Sequence, residues 1–411
     1  MSPLAPARSD APERVLRMLV EFLPAFTVAL WILPFVISYG SFDPWQPSTI
    51  DLEVYRYTVH DLLAGGDIYA TRTPFWNLPF IYPPAAAVLM IPLAVGPYVM
   101  WQVLWVAGLI WAQNSVLKRC GVRRGWVLAL AAVVLVLVVE PIRTTLGYGQ
   151  INTFLMAFVL IDLLPDRPGE RRLIPRGWLI GLAAALKLTP ALFLIFALAV
   201  GLRWVFVHGS VSFLAFTALG AVVQPRASAH FWGNLAHGDT GAPASPIYVG
   251  NQAITGLVAR LARDDSTVVV LTGLAIAAVV AVLAVVVAAT SWRRGDKVFA
   301  VGLVGMATCL ASPLSWTHHY VWVVVLAVGV LTAQRLPRWA VVLGGIWALW
   351  VALCLMLMVL PYGGQPELRY DAGQQLVANL GPLLGMILIG GLALRLVAIP
   401  RTQPVQETAQ R

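Results

Sequence analysis

The chain has 411 residues, 59% of them hydrophobic and 11% charged, and a formal net charge of +9. Soluble domains carry roughly a quarter charged residues, so this composition excludes an ordinary soluble protein and points to a chain solvated mostly by lipid. The positive charge is spread over short loops between apolar runs, which argues against nucleic acid as a partner and for a charge pattern that sets membrane orientation.

Taken in chain order, Arg8, Arg14 and Arg17 precede the first apolar run, residues 18 to 40, and assign the N-terminus to the cytoplasm. No short signal-like run with a cleavage site comes before it, so Met1 onward reads as mature protein. Residues 41–80 then form a first long outer loop. Within it Ile50 to Ala64 read as a short amphipathic helix, with Ile50, Val54 and Leu62 at helical spacing and Gly65-Gly66 as the stop. Such a helix lies along the membrane interface, with Glu53 pointing to solvent. Residues 81–117 must make one net crossing; Pro83, Pro84 and Pro92 make the part up to Val95 a re-entrant or interfacial piece.

Basic groups mark the returns to the inside. They are Lys118 to Arg124, Arg167 to Arg176, Arg203, Arg293 to Lys297, Arg335 with Arg338, and Arg395 with Arg401. Lys187 and Pro190 divide Trp178 to Leu202 into two short helical pieces, and residues 224–266 form a second long outer loop rich in aromatics. The expected architecture is all-α, one polytopic transmembrane unit over residues 1–411 with about 12 crossings and both ends inside. Cys120, Cys309 and Cys354 have no metal or disulfide spacing and read as small buried hydrophobes.

The polar residues able to do chemistry fall on the outer side of this arrangement. They are Asp51 in DLEVY, Tyr82 in IYPP, Gln150 and Asn152 in GYGQIN, Lys187 in LKLTP, Asn251 and Gln252 in GNQAITG, and His318-His319 in SPLSWTHHY. Ionisable groups at membrane depth are costly and mark functional sites. Asp51 has two readings: a general base at the start of the interfacial helix, or part of a capping box that begins at Ser48. Of the adjacent histidines, regular helical geometry lets only one face a site. Lys187 either pairs with an anion or snorkels to headgroups, and Arg143, Arg260 and Arg369 are further outer cations. Tyr82 and Trp316 can stack on a sugar, and the amides suit sugar hydroxyls. His60, His208, His230 and His237 form no ligand spacing, so no metal is expected. Without a phosphate-binding loop, nucleotide chemistry is not expected either.

In their order along the chain, DLEVY, LLAGGDIY, LPFIYPP, GYGQIN, LKLTP, GNQAITG with Arg260, and SPLSWTHHY resemble glycosyltransferase family 87. That resemblance implies a GT-C-type bundle with extracytoplasmic interfacial helices and no cofactor. It implies an inverting α-1,2-mannosyltransferase that takes mannose from a polyprenyl-phosphate-mannose donor. The implied acceptor is a cell-envelope glycolipid of the phosphatidylinositol mannoside or lipomannan type. The family's base falls on Asp51, and its phosphate-binding histidine on His318 or His319, with Lys187 added on charge grounds. Contacts to sugar and acceptor are assigned to Tyr55, Tyr82, Gln150, Asn152, Asn251, Gln252, Arg260 and Trp316. One departure is Ala253, where the resemblance leads one to expect a hydroxyl residue after Asn251-Gln252. The alternatives are a flippase for lipid-linked sugars, which needs polar groups at the midplane, and a transferase for arabinose or another polyprenyl-phosphate sugar.

Overall fold

The computed structural model describes residues 49–122, 125–166, 170–236, 241 and 245–398. The first apolar run, Arg8, Arg14, Arg17, Ser48, Arg123, Arg124, Arg167, His237 and Arg401 lie outside the described residues.

The described residues are helical, with two isolated β-bridges in place of any sheet. The helices run in order as α1 (Ile50–Leu63), α2 (Pro84–Leu89), α3 (Tyr98–Arg119), α4 (Gly125–Val138), α5 (Glu140–Tyr148) and α6 (Asn152–Leu163). Next come α7 (Trp178–Leu186), α8 (Leu192–Ala199), α9 (Arg203–Val223), α10 (Pro225–Ala236), α11 (Ile254–Ala262) and α12 (Thr267–Arg293). The series closes with α13 (Lys297–Leu310), α14 (Val323–Thr332), α15 (Arg338–Leu353), α16 (Leu355–Val359) and α17 (Ala372–Ala398).

Among the described residues α9, α12 and α17 are individually long and apolar enough to cross a membrane, and α4 with α5 passes as a pair bent by 78°. Shorter apolar helices fill the rest, so length and composition do not reproduce the expected count of about 12 crossings. The shortening has a local cause. Pro141 in the first turn of α5 supplies no amide hydrogen and sets the bend after α4. Lys187 adopts an extended backbone and Pro190 follows in a 3-10 turn, which separates α7 from α8 where the sequence predicts a break. The proline-rich piece after Pro83 makes the short α2 and a 3-10 turn over Ile91–Ala94, as expected of a segment that does not span.

Helix α1 forms over the expected residues and buries Leu52, Val54, Tyr55, Val59 and Leu62. Glu53 is also buried, at 7% exposure, so it does not point to solvent as its spacing led us to expect. Arg56 fastens the helix to the following turn, donating to the carbonyls of Leu93 and Gly96 at 2.7 Å each. The three cysteines are free thiols and buried, as read from sequence.

Helices α6 and α7 run antiparallel and carry different chemistry at their two ends. At one end Lys187 meets Asn152. At the other, roughly 15 Å along the 12-residue α6, Asp162 accepts from the first backbone amides of α7, Leu179 at 2.9 Å and Ile180 at 3.1 Å. Arg172 pairs with both Asp162 and Asp166, and Arg176 and Arg119 join the same group. Asp162 is therefore the cap of a helix inside an ion cluster. A flippase would want it free at the midplane. Replacing Asp162 with Ala is expected to lower unfolding stability by about 3 kcal/mol, because two amides lose their acceptor and Arg172 loses the buried one of its two carboxylate partners. A thermal melt of the purified variant checks this; an unchanged midpoint would contradict it.

Candidate active site

The site begins with two backbone contacts that join segments nearly 100 residues apart. The amide of Thr49 donates to the carbonyl of Gly147 at 2.7 Å, pinning the start of α1 to the end of α5. Gly149 then ends α5 at φ 66°, in the left-handed region, with the Leu52 side chain of α1 against it. A Cβ at Gly149 would stand 2.8 Å from Leu52 Cβ, so glycine is needed both for the turn and for the approach. The consequence is that Gln150 lands beside Asp51.

Gln150 is held on three sides. Its Oε1 accepts from Tyr55 Oη at 2.9 Å, Tyr82 Oη at 3.0 Å and the amide of Ile151 at 2.9 Å. With the oxygen so occupied, Nε2 is left to donate to Asp51 Oδ2 at 3.1 Å. The Asp51 carboxylate is thus oriented by a buried amide. The side chain of the N-cap residue Thr49 does not cap the start of α1, and Asp51 faces the cavity. Burial pushes the Asp51 pKa up to about 7, against the opposing charge of Lys187 and the Gln150 hydrogen bond.

Opposite lies the turn that carries the histidines. It is a 3-10 turn over Thr317–Trp322 with a kink at Tyr320, and the rings of His318 and His319 stand nearly perpendicular at 4.7 Å. Both therefore line the cavity, contrary to the expectation from regular helix spacing. Their surroundings differ. His319 has Nδ1 facing the amide of Trp316 at 3.2 Å and Nε2 facing Lys187 Nζ at 3.1 Å, so both nitrogens have protein partners. The His318 imidazole makes no hydrogen bond among the described residues and packs edge-on to Tyr148. Its backbone carbonyl is fixed by Thr145 Oγ1 at 3.0 Å and Asn152 Nδ2 at 3.1 Å. Lys187 also donates to Asn152 Oδ1 at 2.9 Å and lies over the Tyr82 ring at 5.5 Å.

These groups line a cavity of about 860 Å³. Of the residues singled out in the sequence for chemistry, the structure brings Asp51, Tyr82, Arg143, Gln150, Lys187, Trp316, His318 and His319 to its wall. Tyr55, Asn152, Asn251, Gln252 and Arg260 stand behind it. Arg260 is fully buried and binds Asn379 Oδ1 at 2.9 Å and the carbonyls of Tyr248 at 3.1 Å and Asn251 at 2.8 Å. Asn251 Oδ1 accepts from the amides of Ser315 and Ala253, and Gln252 Nε2 donates to the carbonyls of Val249 and Ala378. Together they brace the segment under Trp316, with which Asn251 forms a β-bridge. Ala253 is the N-cap of α11. A hydroxyl there would cap a helix, so the departure noted in the sequence falls on a buried capping position and not on the cavity wall.

Sequence reasoning missed Glu140, Tyr148, Tyr248 and Thr317, all on the wall. Only Glu140 left a signal: a lone acid after the apolar run of α4, just before Pro141. The wall also includes apolar side chains, Val136 and Leu137 of α4, Leu192 and Ile195 of α8, and Ala281 of α12. Ile195 is 56% exposed, so this apolar part of the lining reaches the surface of the molecule.

The family model for glycosyltransferase family 87 matches residues 80–313. A polyprenol-phosphate-mannose-dependent alpha-(1-2)-phosphatidylinositol mannoside mannosyltransferase of Mycobacterium tuberculosis is 33% identical over 319 residues, covering 70% of this chain and 72% of that protein. The protein of the same description from Mycolicibacterium smegmatis is also 33% identical, covering 71% and 72%. A polyprenol-phosphate-mannose-dependent alpha-(1-2)-phosphatidylinositol pentamannoside mannosyltransferase of Mycobacterium tuberculosis is 31% identical, covering 77% and 75%. No solved structure matches the chain.

Proposed function

The chain belongs to glycosyltransferase family 87, and from that premise we propose that it moves mannose from polyprenyl-phosphate-mannose to a mannosyl hydroxyl of a phosphatidylinositol mannoside. The product linkage is α-1,2, formed with inversion on the extracytoplasmic face, and both chain ends are cytoplasmic. The observation that carries this reading is the mixed lining of the cavity. Its wall holds Asp51, Lys187 and His318 together with apolar side chains that reach the surface at Ile195. A donor that is a sugar phosphate at one end and a hydrocarbon at the other fits such a lining.

In the transfer, the acceptor hydroxyl attacks the anomeric carbon from the face opposite the phosphate. Asp51 takes the hydroxyl proton as the new carbon–oxygen bond forms, with Gln150 holding the carboxylate in line. The bond to the phosphate oxygen breaks and its electron pair leaves with the polyprenyl phosphate. Lys187 and His318 stabilise the charge that gathers there, with Asn152 Oδ1 accepting from the ammonium and keeping it in place. The sugar remains attached to a lipid or an acceptor throughout, so no protein nucleophile is needed. Burial of Asp51 fits a base that works near neutral pH.

The test is incubation of purified protein with defined polyprenyl-phosphate sugars and phosphatidylinositol mannosides, followed by linkage analysis. Mannose in α-1,2 linkage is the expected product; flux of lipid between leaflets with no new glycosidic bond would overturn the reading. Labelling of a cysteine placed at the exposed Trp76 in intact cells is expected and tests the side of the membrane.

A further inference from the structure

The mechanism leaves one buried carboxylate of the cavity unused. Glu140 opens α5 beyond the 78° bend and is 2% exposed. With Arg143, Thr144, Gly147 and Tyr148 it recurs at helical spacing on the face of α5 that lines the cavity. Its Oε1 is engaged, accepting from Thr144 Oγ1 at 2.9 Å and Thr317 Oγ1 at 2.8 Å. Its Oε2 is buried without a hydrogen bond of ordinary geometry among the described residues. Beyond the two hydroxyls, the carboxylate feels the charge of Arg143 and meets the thiol of Cys354, a weak donor. A buried carboxylate oxygen is costly until a donor reaches it, and a sugar hydroxyl entering the cavity is such a donor.

Position decides which sugar. Helix α5 has nine residues and is roughly 13 Å long, and Asp51 is fixed beside its far end. A ring whose hydroxyl is held by Asp51 does not extend that far, but a sugar further back along the same acceptor does. Arg143, one turn on, puts donors on the same wall, a combination suited to the hydroxyls of a sugar ring. Resting on the transferase reading, we infer that Glu140 binds a hydroxyl of the acceptor glycan on a sugar preceding the one that is glycosylated. Glu140 is then a specificity-determining residue for acceptors of more than one sugar. The competing role is purely structural, a tie between α5 and the histidine turn through Thr317.

Glu140→Gln separates the two, since its amide oxygen still accepts from Thr317 while Oε2 is replaced by a donor. Full-length protein is assayed with polyprenyl-phosphate-mannose and two acceptors on the same lipid, one with a single mannose and one with an oligomannosyl chain. The expected result is a rise of about tenfold or more in KM for the oligomannosyl acceptor, the scale of a lost charged hydrogen bond. The KM for the donor and the rate with the single mannose are expected to stay at wild-type values. Equal losses on both acceptors, or wild-type behaviour of Glu140→Gln beside an inactive Glu140→Ala, would leave only the structural role and overturn the inference. If Glu140→Gln does not accumulate, Glu140→Asp keeps the charge but draws it back, and an unchanged oligomannosyl KM would be equally fatal. Wild-type protein that transfers to neither acceptor would instead sink the transferase reading, and this inference with it.

Discussion

Asp51→Asn is expected to lower the rate of sugar transfer by roughly 10²–10⁴-fold, the range that a positioned general base contributes. The substitution is nearly isosteric and keeps an oxygen for Gln150 Nε2, so the donor KM and the melting temperature should hold. What is lost is the ability to take a proton from the attacking hydroxyl. A second readout follows from the pKa of about 7 at this carboxylate. The ionised form is the working base, so wild-type kcat/KM should rise with pH through about 7 and level off above it. The residual activity of Asp51→Asn should lack that limb. Near-normal transfer by the variant, or a residual profile that keeps the limb, would remove Asp51 from the mechanism.

The parts of this site that were legible in the sequence are those whose chemistry is local. DLEVY reads as a short helix with an acid at its start, and α1 forms there. LKLTP reads as a break, because proline and a cation in an apolar run are locally incompatible with one continuous helix, and the break is observed. What spacing cannot carry is which side of a wall a polar group ends on. Arg260 and Asn251 look like binding residues because polar groups among apolar neighbours are costly, yet that cost is met by backbone carbonyls and amides inside the protein. Gln150 reads in the sequence as a sugar contact. Its three donors, from Tyr55, Tyr82 and Ile151, turn it toward Asp51, and that arrangement depends on a contact between Thr49 and Gly147 that sequence distance hides. The histidines depart from helix spacing for a different reason. They sit on a turn with 3-10 geometry, in which neighbouring side chains do not follow 100° steps. Helix length and composition among the described residues do not reproduce about 12 crossings, because broken and bent helices do not show their lengths in a hydropathy pattern.

Lys187→Met is expected to reduce kcat by roughly 10²–10³-fold, the loss seen when one preorganised donor to developing charge is removed. Lys187 has a two-sided position. Asn152 Oδ1 holds the ammonium within the wall, while its charge is felt by Asp51 across the cavity. A leaving phosphate in the same chamber gains from that charge as its bond to the sugar breaks. The coupling to Asp51 supplies a signature that a packing defect would not produce. Lys187 opposes the rise in the Asp51 pKa, so removing its charge raises that pKa further. The acid limb of the pH profile should therefore move to higher pH in Lys187→Met and stay in place in Lys187→Arg, which keeps the charge. His318→Ala should weaken donor binding without moving the limb, because its neutral ring contributes a hydrogen bond and no fixed charge. A Lys187→Met enzyme with reduced kcat but an unmoved limb would mean that the lysine acts by packing alone, and the cavity would lose its phosphate-binding cation.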